Sequence, residues 1–374
     1  MRILFDLTAL YDHLTGIERY AMNISYNMII AHPEHVYVLL FKNEVHKRFI
    51  DVSNQKNVEA KVMKGCNKLW FAQISLTKCL YQTPADAYIF LAFTSPLLFK
   101  KKRIINTIHD LTPWDCPQSM KSHMIPYGKI LIRNACKASK CLVSVSEFSK
   151  RRISETLNVD LSKITVAYNG LSEQFLSVNT EGTERIKNKY NLPEKYILCL
   201  STLEPRKNMR LLIIAYMNLI RKKMIDADLV LAGRKGWKLD EILEDTDSSF
   251  ERIHITGFIE DEDLPVLYRN ALLFVFPSVY EGFGIPLIEA MSQGTLVISS
   301  DSSSLPEVAG EAAIFFKSNS IESLEEKIIQ GLSLGTEERE NYKKKGIKQA
   351  HRYRWENSSE IYYNTIFKTA EESR

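Results

Sequence analysis

Short apolar runs alternate along the whole chain with longer amphipathic segments, and this alternation predicts strands and helices in turn. In the first half, strands are predicted at Arg2–Asp6, Val36–Phe41, Val58–Val62, Ala87–Leu91, Arg103–His109, Cys141–Ser144 and Ile164–Ala167. In the second half, strands are predicted at Tyr196–Ser201, Asp228–Ala232, Arg252–Thr256, Leu272–Val275, Leu296–Ser299 and Ala313–Phe316. Helices are predicted between these strands at Met209–Arg221, Asp263–Asn270, Pro286–Ser292 and Ile321–Leu332. Each half therefore has the pattern of a mostly parallel sheet covered by helices.

The chain has 374 residues, which is too long for one ordinary core and indicates two domains. The polar segment Ser177–Tyr190 carries no strand pattern, so we predict that it links a first domain at residues 1–180 to a second at residues 190–355. Residues 356–374 are predicted to form a C-terminal helix. Its packed face is predicted from apolar residues at helical spacing, namely Tyr362, Tyr363, Ile366 and Phe367. Two doubly wound α/β domains of this kind bind ligands in a cleft at the carboxyl ends of their strands.

Composition narrows the class of protein. Hydrophobic residues make up 45% and charged residues 25% of the chain, as in soluble globular proteins. No apolar run reaches the roughly eighteen residues of a membrane-spanning helix, and Asp6 interrupts the apolar N-terminal run, which argues against a signal peptide. The six cysteines include no Cys-x-x-Cys pair, so neither a zinc site nor a disulfide framework is predicted. We therefore expect a cytoplasmic protein with reduced thiols.

The net charge of +4 hides an asymmetry between the halves. Residues 1–180 contain 23 Lys or Arg against 14 Asp or Glu, whereas residues 181–374 contain 26 against 31. The basic half indicates an anionic partner (a membrane surface, a nucleic acid or a phosphorylated acceptor), unless the excess is only spread over a solvated surface. Basic clusters at Lys100–Arg103 and Lys150–Arg152 lack the interleaved aromatic residues of nucleic-acid platforms. Beside the first cluster, Leu97–Phe99 favours a peripheral membrane contact of this domain and no nucleic acid.

The segment Phe276–Gly294 (FPSVYEGFGIPLIEAMSQG) has the pattern of a strand end, a glycine loop and a helix. Pro286 is expected to open the helix and Gly294 to close it. Glycines in the loop let a ligand approach the backbone, and the N–H groups at a helix start suit a phosphate. Glu281 lies in the loop and Glu289 about one turn into the helix, so both carboxylates are expected to contact one elongated ligand. The simpler alternative is a tight turn with two carboxylates on the surface.

Glu281 and Glu289 also stand in the E-x7-E spacing of retaining glycosyltransferases, and this segment resembles the family called group 1, or family 4. Further segments resemble that family in the same order, namely Thr15–Tyr20 (TGIERY), Thr107–Leu111 (TIHDL), Leu203–Asn208 (LEPRKN), Ser302–Gly310 (SSSLPEVAG) and Trp355–Glu356. The resemblance runs from about residue 3 to about residue 360. It implies a GT-B fold, in which two Rossmann-like domains face a central cleft and the C-terminal helix packs back toward the first domain.

In the second domain, the resemblance implies a binding site for a nucleotide-sugar donor. Glu289 would accept hydrogen bonds from ribose hydroxyls, and Glu281 would hold hydroxyls of the transferred sugar. The backbone at Phe283 and Gly284 would meet the sugar or the phosphate. Donor contacts are thus expected throughout the loop and the helix start, at Glu281, Gly282, Phe283, Gly284, Ile285 and Glu289.

Arg206 and Lys207 are expected between a strand end and a helix, where cations stabilise the charge that grows on a diphosphate leaving group. The resemblance assigns both residues, with Glu281, to donor binding and catalysis; the alternative is that their segment only caps the helix. Many relatives carry Gly–Arg where this chain has Ser201–Thr202. The absent arginine places more weight on Arg206 and Lys207, with the Thr202 hydroxyl as a further donor contact.

In the first domain, Gly16 lies on the loop after the first strand, and by resemblance its backbone approaches the diphosphate. His109 follows a predicted strand. The resemblance implies that His109 lies near the anomeric carbon and contributes to catalysis by positioning, although its pKa would also suit a general base. The alternative is a histidine that is hydrogen-bonded in an ordinary turn.

No cofactor and no metal ion are expected. Asp261–Asp263 has the D-x-D spacing with which another glycosyltransferase fold chelates a divalent ion, but the residues that follow favour an acidic helix start. Arg206 and Lys207 would neutralise the diphosphate without a metal.

The residues and the resemblance together predict a cytoplasmic, retaining glycosyltransferase that transfers a hexose. Resemblance to O-antigen mannosyltransferases implies GDP-mannose as donor and a polyprenyl-diphosphate-linked saccharide as acceptor, in bacterial O-antigen or capsule synthesis. The alternatives are a UDP- or dTDP-sugar donor, a sugar-nucleotide epimerase, or a non-catalytic protein that binds nucleotide or carbohydrate. A dinucleotide-dependent dehydrogenase is disfavoured because no G-x-G-x-x-G follows the first strand of either half.

Overall fold

The computed structural model describes residues 1–11, 14–65, 70–101, 103–177, 182–201, 204–233 and 251–371. The chain divides into two compact units. The first contains Met1–Gly170 together with Arg354–Arg374, and the second contains Leu171–Tyr353.

The first unit is built on a seven-stranded parallel sheet. Its strands are β1 Arg2–Asp6, β2 Val36–Lys42, β3 Val58–Met63, β4 Ala87–Phe90, β5 Ile104–Ile108, β6 Cys141–Ser144 and β7 Ile164–Val166, in the spatial order β3-β2-β1-β4-β5-β6-β7. The helices between them are α1 Gly16–Ala31, α2 Leu76–Gln82, α3 Thr112–Asp115, α4 Met124–Ala138 and α5 Glu147–Leu157. The inner strands are mostly apolar because helices cover a parallel sheet and leave little of it in contact with water, whereas the edge strand β3 carries Glu59 and Lys61 and is partly exposed.

The second unit is built on a six-stranded parallel sheet. Its strands are β8 Tyr196–Leu200, β9 Asp228–Ala232, β10 Ile253–Gly257, β11 Leu273–Phe276, β12 Val297–Ser300 and β13 Ala313–Phe316, in the order β10-β9-β8-β11-β12-β13. The helices are α6 Thr183–Tyr190, α7 Met209–Arg221, α8 Leu264–Asn270, α9 Ile285–Ser292, α10 Leu305–Ala309, α11 Ile321–Ser333 and α12 Thr336–Ala350. Each strand predicted from the sequence is present in one of the two units, with bounds that differ by one residue at most.

The last helix, α13 Trp355–Glu371, follows the second unit in sequence but packs against α1 of the first. Tyr362, predicted on its packed face, is fully buried, and its hydroxyl lies 3.1 Å from Oγ1 of Thr107 on β5. The ring of Tyr363 stacks on the imidazole of His32 with centroids 3.5 Å apart. The predicted return of the C-terminal helix to the first unit is therefore confirmed.

The division between the units falls at Gly170–Leu171, ahead of the segment Ser177–Tyr190 that the sequence suggested as a linker. The later part of that segment is helix α6, which belongs to the second unit. The preceding residues also join this unit: the ring of Phe175 packs against Tyr268 at 6.1 Å, and its carbonyl accepts a hydrogen bond from the Gln293 amide. The polar composition of this segment hid its place in the second unit, because α6 buries the single apolar residue Ile186 and is otherwise held by ion pairs of Arg185 and Lys189 with Asp263.

Candidate functional site

Two loops meet at the carboxyl ends of the neighbouring strands β8 and β11 in the second unit. After β8, the 3-10 turn Pro205–Lys207 leads into α7, and Asn208 adopts a left-handed φ of 54° between them. After β11, the Val279 N–H donates a hydrogen bond to the Arg206 carbonyl at 2.9 Å. This bond ties the turn that carries Arg206 and Lys207 to the loop that carries Glu281.

The Glu281 carboxylate is the centre of this arrangement. It accepts hydrogen bonds from Nζ of Lys207 at 2.5 Å, from Nη1 of Arg206 at 2.9 Å and from Oγ of Ser278 at 2.8 Å. Its side chain is only 9% exposed. Burial would raise the pKa of Glu281, but the charges of Lys207 and Arg206 and the hydrogen bonds lower that pKa to about 2. Glu281 is therefore ionised at neutral pH.

Lys207 is the more deeply placed of the two cations. Its side chain is 11% exposed, and its ammonium lies 5.5 Å from the centroid of the Phe276 ring. Burial lowers the pKa of Lys207, and the neighbouring Arg206 lowers it further, whereas Glu281 acts in the opposite direction. The Arg206 side chain is more exposed to solvent, and its Nε lies 3.4 Å from a carboxylate oxygen of Glu204. Two carboxylates thus hold two cations in fixed orientations, which is the preorganisation that an anion site requires.

Serine side chains from the end of β12 and the loop after it hold the backbone of the Glu281 loop. The Glu281 N–H donates to Oγ of Ser303 at 2.9 Å, and the Ser304 hydroxyl donates to the carbonyls of Glu281 and Phe283, each at 3.0 Å. Ser300 donates in the same way to the Ser278 carbonyl. These bonds fix a loop that has no strand or helix of its own.

The helix α9 begins after Gly284, close to the position predicted from Pro286. Gly284 has a φ of 101°, and a side-chain carbon there would lie 2.8 Å from Cδ2 of Leu305, so the turn requires glycine. Phe283 is buried with its ring against Tyr353 at 5.2 Å. Gly282 is buried before this turn, and Ile285, the first residue of α9, is partly exposed after it.

Glu289 lies on α9, about one turn from its start, as predicted. It is 6% exposed, and Oε2 accepts a hydrogen bond of 2.9 Å from the hydroxyl of Tyr268, which is fully buried on α8. Nothing in the local sequence pattern connects Tyr268 with Glu289. The Tyr268 hydroxyl orients the carboxylate, since a buried O–H group needs an acceptor.

Near this site, the backbone of Gly233, a residue that the sequence alone did not single out, comes very close to the backbone of Ser201. Its φ is 132°, and a side-chain carbon there would lie 2.0 Å from the carbonyl oxygen of Ser201. Only glycine therefore fits at the end of β9 beside the end of β8. Thr202, the predicted donor contact that follows Ser201, lies outside the described residues, as does Leu203.

In the first unit, Gly16 is the first residue of helix α1 rather than part of the loop before it. Thr15 caps the helix: its hydroxyl and its backbone N–H both interact with the Glu18 carboxylate in a capping box. Because glycine has no side chain, the backbone of this helix start is open to close approach.

His109 follows β5 in the same unit and is partly buried. Its Nε2 lies 2.7 Å from the Leu91 carbonyl, which can only accept, so Nε2 carries the proton and donates it. Burial lowers the pKa of His109, although this hydrogen bond and Asp110 act in the opposite direction. The imidazole is therefore neutral at neutral pH, with the lone pair on Nδ1. The edge of the Tyr20 ring packs at 5.1 Å and fixes the imidazole plane.

The Asp261–Asp263 segment has a structural role. Asp263 is fully buried at the start of α8, and its carboxylate accepts from Arg185 at 2.5 Å, Lys189 at 2.7 Å and the Tyr190 hydroxyl at 2.7 Å. These contacts lower the pKa of Asp263 despite its burial. The carboxylate thus joins α6 to α8. Within the parts of the chain that the structure describes, no group of three His, Cys, Asp or Glu side chains has the arrangement of metal ligands.

The structure therefore brings Arg206, Lys207 and Glu281 into direct contact and places Glu289 on the helix that follows the Glu281 loop. Gly16 and His109 belong to the first unit, separately from these residues. Sequence reasoning missed Ser278 and Tyr268, which hold the two carboxylates. Two oriented cations beside a glycine turn and a helix start can bind a diphosphate, and oriented carboxylates can accept hydrogen bonds from sugar hydroxyls.

Comparison with known proteins identifies the family of both units. The profile described as "Glycosyl transferases group 1" matches residues 181–349, and the profile described as "Glycosyltransferase Family 4" matches residues 14–175. Together these two matches cover most of both units.

Individual relatives point to the same family. The chain is 32% identical over 273 residues to O-antigen chain mannosyltransferase B of Escherichia coli, a match that covers 72% of this chain and 71% of the relative. It is 30% identical over 226 residues to the serotype-specific mannosyltransferase WbdA of Escherichia coli, which covers 59% of this chain but only 28% of that longer protein. Among solved structures, a glycosyltransferase from Rickettsia africae shares the fold, with a TM-score of 0.72, 17% identity and 98% of each chain covered.

The paired parallel sheets, the structural neighbour and the two family profiles agree with each other and with the resemblance seen in the sequence. The chain is an α/β protein of the GT-B fold and belongs to the group 1, or family 4, glycosyltransferases.

Proposed function

We propose that this enzyme transfers a mannosyl group from GDP-mannose, with retention of anomeric configuration, to a lipid-diphosphate-linked saccharide during assembly of a bacterial surface polysaccharide. The choice of sugar rests on relatives that are named as O-antigen chain and serotype-specific mannosyltransferases. The assignment of the donor site rests on the contacts of the second unit.

The observation that carries the proposal is the buried cluster of Arg206, Lys207 and Glu281. In the proposed reaction, the bond between the sugar and the diphosphate breaks, and negative charge accumulates on the leaving phosphate oxygens. Arg206 and Lys207 lower the barrier because their attraction to that charge is stronger in the transition state than in the ground state. Their orientation by Glu281 means that little reorganisation is needed when the donor binds.

The two carboxylates are assigned to the two ends of the donor. Glu281 accepts hydrogen bonds from hydroxyls of the transferred mannose, and Glu289 accepts them from ribose hydroxyls of GDP. The pKa of Glu281, about 2, keeps it a pure acceptor at neutral pH. The backbone N–H groups at the Gly284 turn are assigned to the sugar or the phosphate.

His109 is assigned a positioning role in the first unit. Its Nε2 proton is engaged by the Leu91 carbonyl, so only Nδ1 is available to accept a hydrogen bond. A neutral imidazole that is held in one tautomer suits a fixed contact with a sugar hydroxyl. The backbone at Gly16 is assigned to the diphosphate.

Neither a metal ion nor another cofactor is part of the proposal. Two cations can balance the charge of a diphosphate, so the chemistry does not need a divalent ion. The D-x-D segment offers little to a metal, because three side chains already occupy the carboxylate of Asp263.

The decisive experiment is calorimetric binding of GDP, UDP, dTDP and ADP to the purified protein, with and without EDTA. Tight binding of GDP alone that EDTA leaves unchanged supports the donor and the absence of a metal. Preference for UDP or dTDP overturns the donor assignment, and loss of binding in EDTA overturns the metal-independent site. Binding of a nucleotide without transfer from any sugar nucleotide to lipid-linked saccharides overturns the proposed reaction.

The retaining mechanism and the competing epimerase activity need a product assay. NMR of the glycosylated acceptor distinguishes an α-linked product, expected from an α-linked donor with retention, from a β-linked one. Conversion of the sugar nucleotide without any acceptor product would instead indicate an epimerase.

A further inference from the structure

We propose that Asp6, the last residue of β1 in the first unit, binds and orients the hydroxyl group of the saccharide acceptor. The inference rests on the proposed function for the reaction itself, and it adds the residue that holds the second substrate. The observations behind it are the strand pairing, the burial and the hydrogen bonds of Asp6, all of which lie within the first unit.

Asp6 lies where an open α/β sheet is expected to bind a ligand. The strand order β3-β2-β1-β4-β5-β6-β7 reverses its direction between β1 and β4. Such a reversal opens a crevice outside the carboxyl ends of the two strands. Asp6 ends β1 and pairs with Phe90, which ends β4. A ligand in this crevice therefore meets Asp6 and the loops that follow the two strands.

The Asp6 carboxylate is buried and only half of it is hydrogen-bonded. The residue is 7% exposed. Its Oδ1 accepts hydrogen bonds from the Thr8 hydroxyl at 2.7 Å and from the Thr8 N–H at 3.1 Å. Among the residues that the structure describes, no other hydrogen bond and no ion pair reaches this carboxylate, so Oδ2 is left to accept from a ligand.

Two other buried carboxylates show how this chain compensates such a charge elsewhere. Glu281 and Asp263 each contact two basic side chains, and these contacts lower the pKa of both carboxyl groups despite their burial. Burial instead raises the pKa of Asp6, and only the hydrogen bonds from Thr8 act in the opposite direction. A buried carboxylate without a countercharge destabilises a fold, so its presence points to a ligand that completes its hydrogen bonds.

The ligand that fits Asp6 is an uncharged group with an O–H donor. A carboxylate oxygen accepts hydrogen bonds and repels phosphate, which excludes the diphosphate of a sugar nucleotide from this position. Exposed aromatic side chains follow the same two strand ends: Tyr11, after β1, is 45% exposed, and Phe93, after β4, is 50% exposed. The apolar C–H face of a sugar ring packs well against such rings. A hydroxyl of a saccharide therefore matches both the carboxylate and its surroundings.

His109 lies at the same edge of this sheet. It follows β5, which pairs with β4, and its Nε2 donates to the carbonyl of Leu91, the residue after Phe90. Only β4 therefore separates the end of β1 from the end of β5. A hydroxyl bound to Asp6 lies on the side of the unit to which the proposed function assigns the transferred sugar. By fixing the O–H group, Asp6 directs the lone pairs of the hydroxyl oxygen toward the anomeric carbon.

The first test compares Asp6→Asn with Asp51→Asn in the whole protein. Asp6→Asn keeps the shape of the side chain but removes its charge, so kcat/KM for the acceptor should fall at least about thirty-fold, as for the loss of a hydrogen bond to a charged group. Nucleotide affinity, measured by calorimetry, should stay the same. Asp51→Asn makes the same change at an exposed aspartate of this unit, which accepts from the Tyr26 hydroxyl, and should alter neither quantity. An Asp6→Asn variant with the kcat/KM of the wild-type protein would overturn the proposal.

Urea unfolding separates binding from a structural role. The folded chain raises the pKa of Asp6, so the stabilising contribution of this group is present at low pH and is lost as the pH rises through the folded pKa. At neutral pH the ionised carboxylate is therefore unfavourable, and Asp6→Asn should unfold at the same or a higher urea concentration than the wild-type protein. A lower midpoint together with weaker nucleotide binding would show that Asp6 only holds the fold, against the proposal.

Thr8 is a positioning residue in this proposal. Thr8→Val removes the hydroxyl that donates to Oδ1 of Asp6 and keeps the backbone N–H bond to the same oxygen. We expect kcat/KM for the acceptor to fall about five-fold, as for the loss of one neutral hydrogen bond, while KM for the sugar nucleotide stays the same. Equal changes in the KM values of both substrates would indicate a general disturbance of the unit and would contradict the positioning role.

Saccharide binding distinguishes failure of this inference from failure of the proposed function. The probes are the methyl glycosides of mannose, glucose, galactose and N-acetylglucosamine, measured by saturation-transfer NMR with and without GDP. The wild-type protein should bind at least one of them, and Asp6→Asn should bind it at least about ten-fold more weakly. Such a result in a protein that transfers no sugar from any donor would keep the role of Asp6 and refute the function. Transfer that is equal in the wild-type protein and Asp6→Asn, or binding of none of the glycosides, would refute the role of Asp6.

Discussion

Lys207 and Glu281 are 74 residues apart in sequence, yet Nζ of one lies 2.5 Å from Oε1 of the other, and both side chains are nearly excluded from solvent. The pair exists because β8 and β11 are neighbours in the sheet, so the loops at their carboxyl ends meet. Each residue compensates the buried charge of its partner, so both are needed for a stable cluster.

Glu281→Gln is the first test of the site. The variant keeps the shape of the side chain but removes its charge, so the cluster becomes more positive and GDP should bind at least as tightly as to the wild-type protein. Transfer should fall at least about a hundred-fold because the acceptor for the sugar hydroxyls is impaired. Calorimetry with GDP and a transfer assay measure the two effects. A variant with normal turnover would contradict the assignment of Glu281.

The stability of the second unit should depend on pH through Glu281. The pKa of this carboxyl is about 2 in the folded chain against an ordinary value of 4.5, so its contribution is fully present above about pH 4.5 and is lost as the pH falls toward 2. The shift corresponds to about 3 kcal/mol in total. Urea unfolding at a series of pH values should therefore show a steeper acid loss for the wild-type protein than for Glu281→Gln. Parallel curves would show that the folded pKa is ordinary.

Lys207→Met should be strongly destabilising, because it leaves the Glu281 charge buried without its closest partner. The expected loss is about 3–5 kcal/mol in the free energy of unfolding. Combining Lys207→Met with Glu281→Gln removes both charges and should recover most of that stability without restoring activity. Urea unfolding of the two single variants and the double variant gives the coupling between the residues. Additive losses would mean that the ion pair contributes nothing to stability.

Tyr268→Phe tests how Glu289 is held. The variant keeps the buried ring and removes only the hydroxyl that donates to Oε2. If Glu289 binds ribose hydroxyls, GDP affinity should fall about five-fold, which corresponds to the roughly 1 kcal/mol of one hydrogen bond. Inorganic diphosphate, which has no ribose, serves as the control ligand and should bind as before. An equal loss for both ligands would indicate a general disturbance of α9.

Asp263→Asn separates the structural role of the D-x-D segment from a metal role. The carboxylate is fully buried, but Arg185 and Lys189 are more than a third exposed, so solvent screens part of their attraction. The expected loss of stability is about 1–2 kcal/mol. Transfer by the folded variant should keep its rate and should remain insensitive to EDTA. A variant that folds normally but requires added Mg²⁺ or Mn²⁺ would point to a metal site.

The strands were predictable because buried parallel strands are mostly short apolar runs. The loop–helix with Glu281 and Glu289 was predictable for a related reason: Gly284, Pro286 and Gly294 mark local backbone requirements. The ion pairs were not, since no local rule connects the turn after β8 with the loop after β11. Ser278 and Tyr268 were missed because a serine before a loop and a tyrosine on an apolar helix face normally indicate only capping or packing.

The return of α13 to the first unit has a consequence for biosynthesis. The second unit is an uninterrupted stretch from Leu171 to Tyr353, whereas the first is assembled from both sides of it. On the ribosome, the second unit can therefore fold before the first is complete. Trp355 and the residues after it, which pack against Tyr20 and the rest of α1, are synthesised last. Synthesis halted after Tyr353 would release a finished second unit joined to a first unit with its core still open to water.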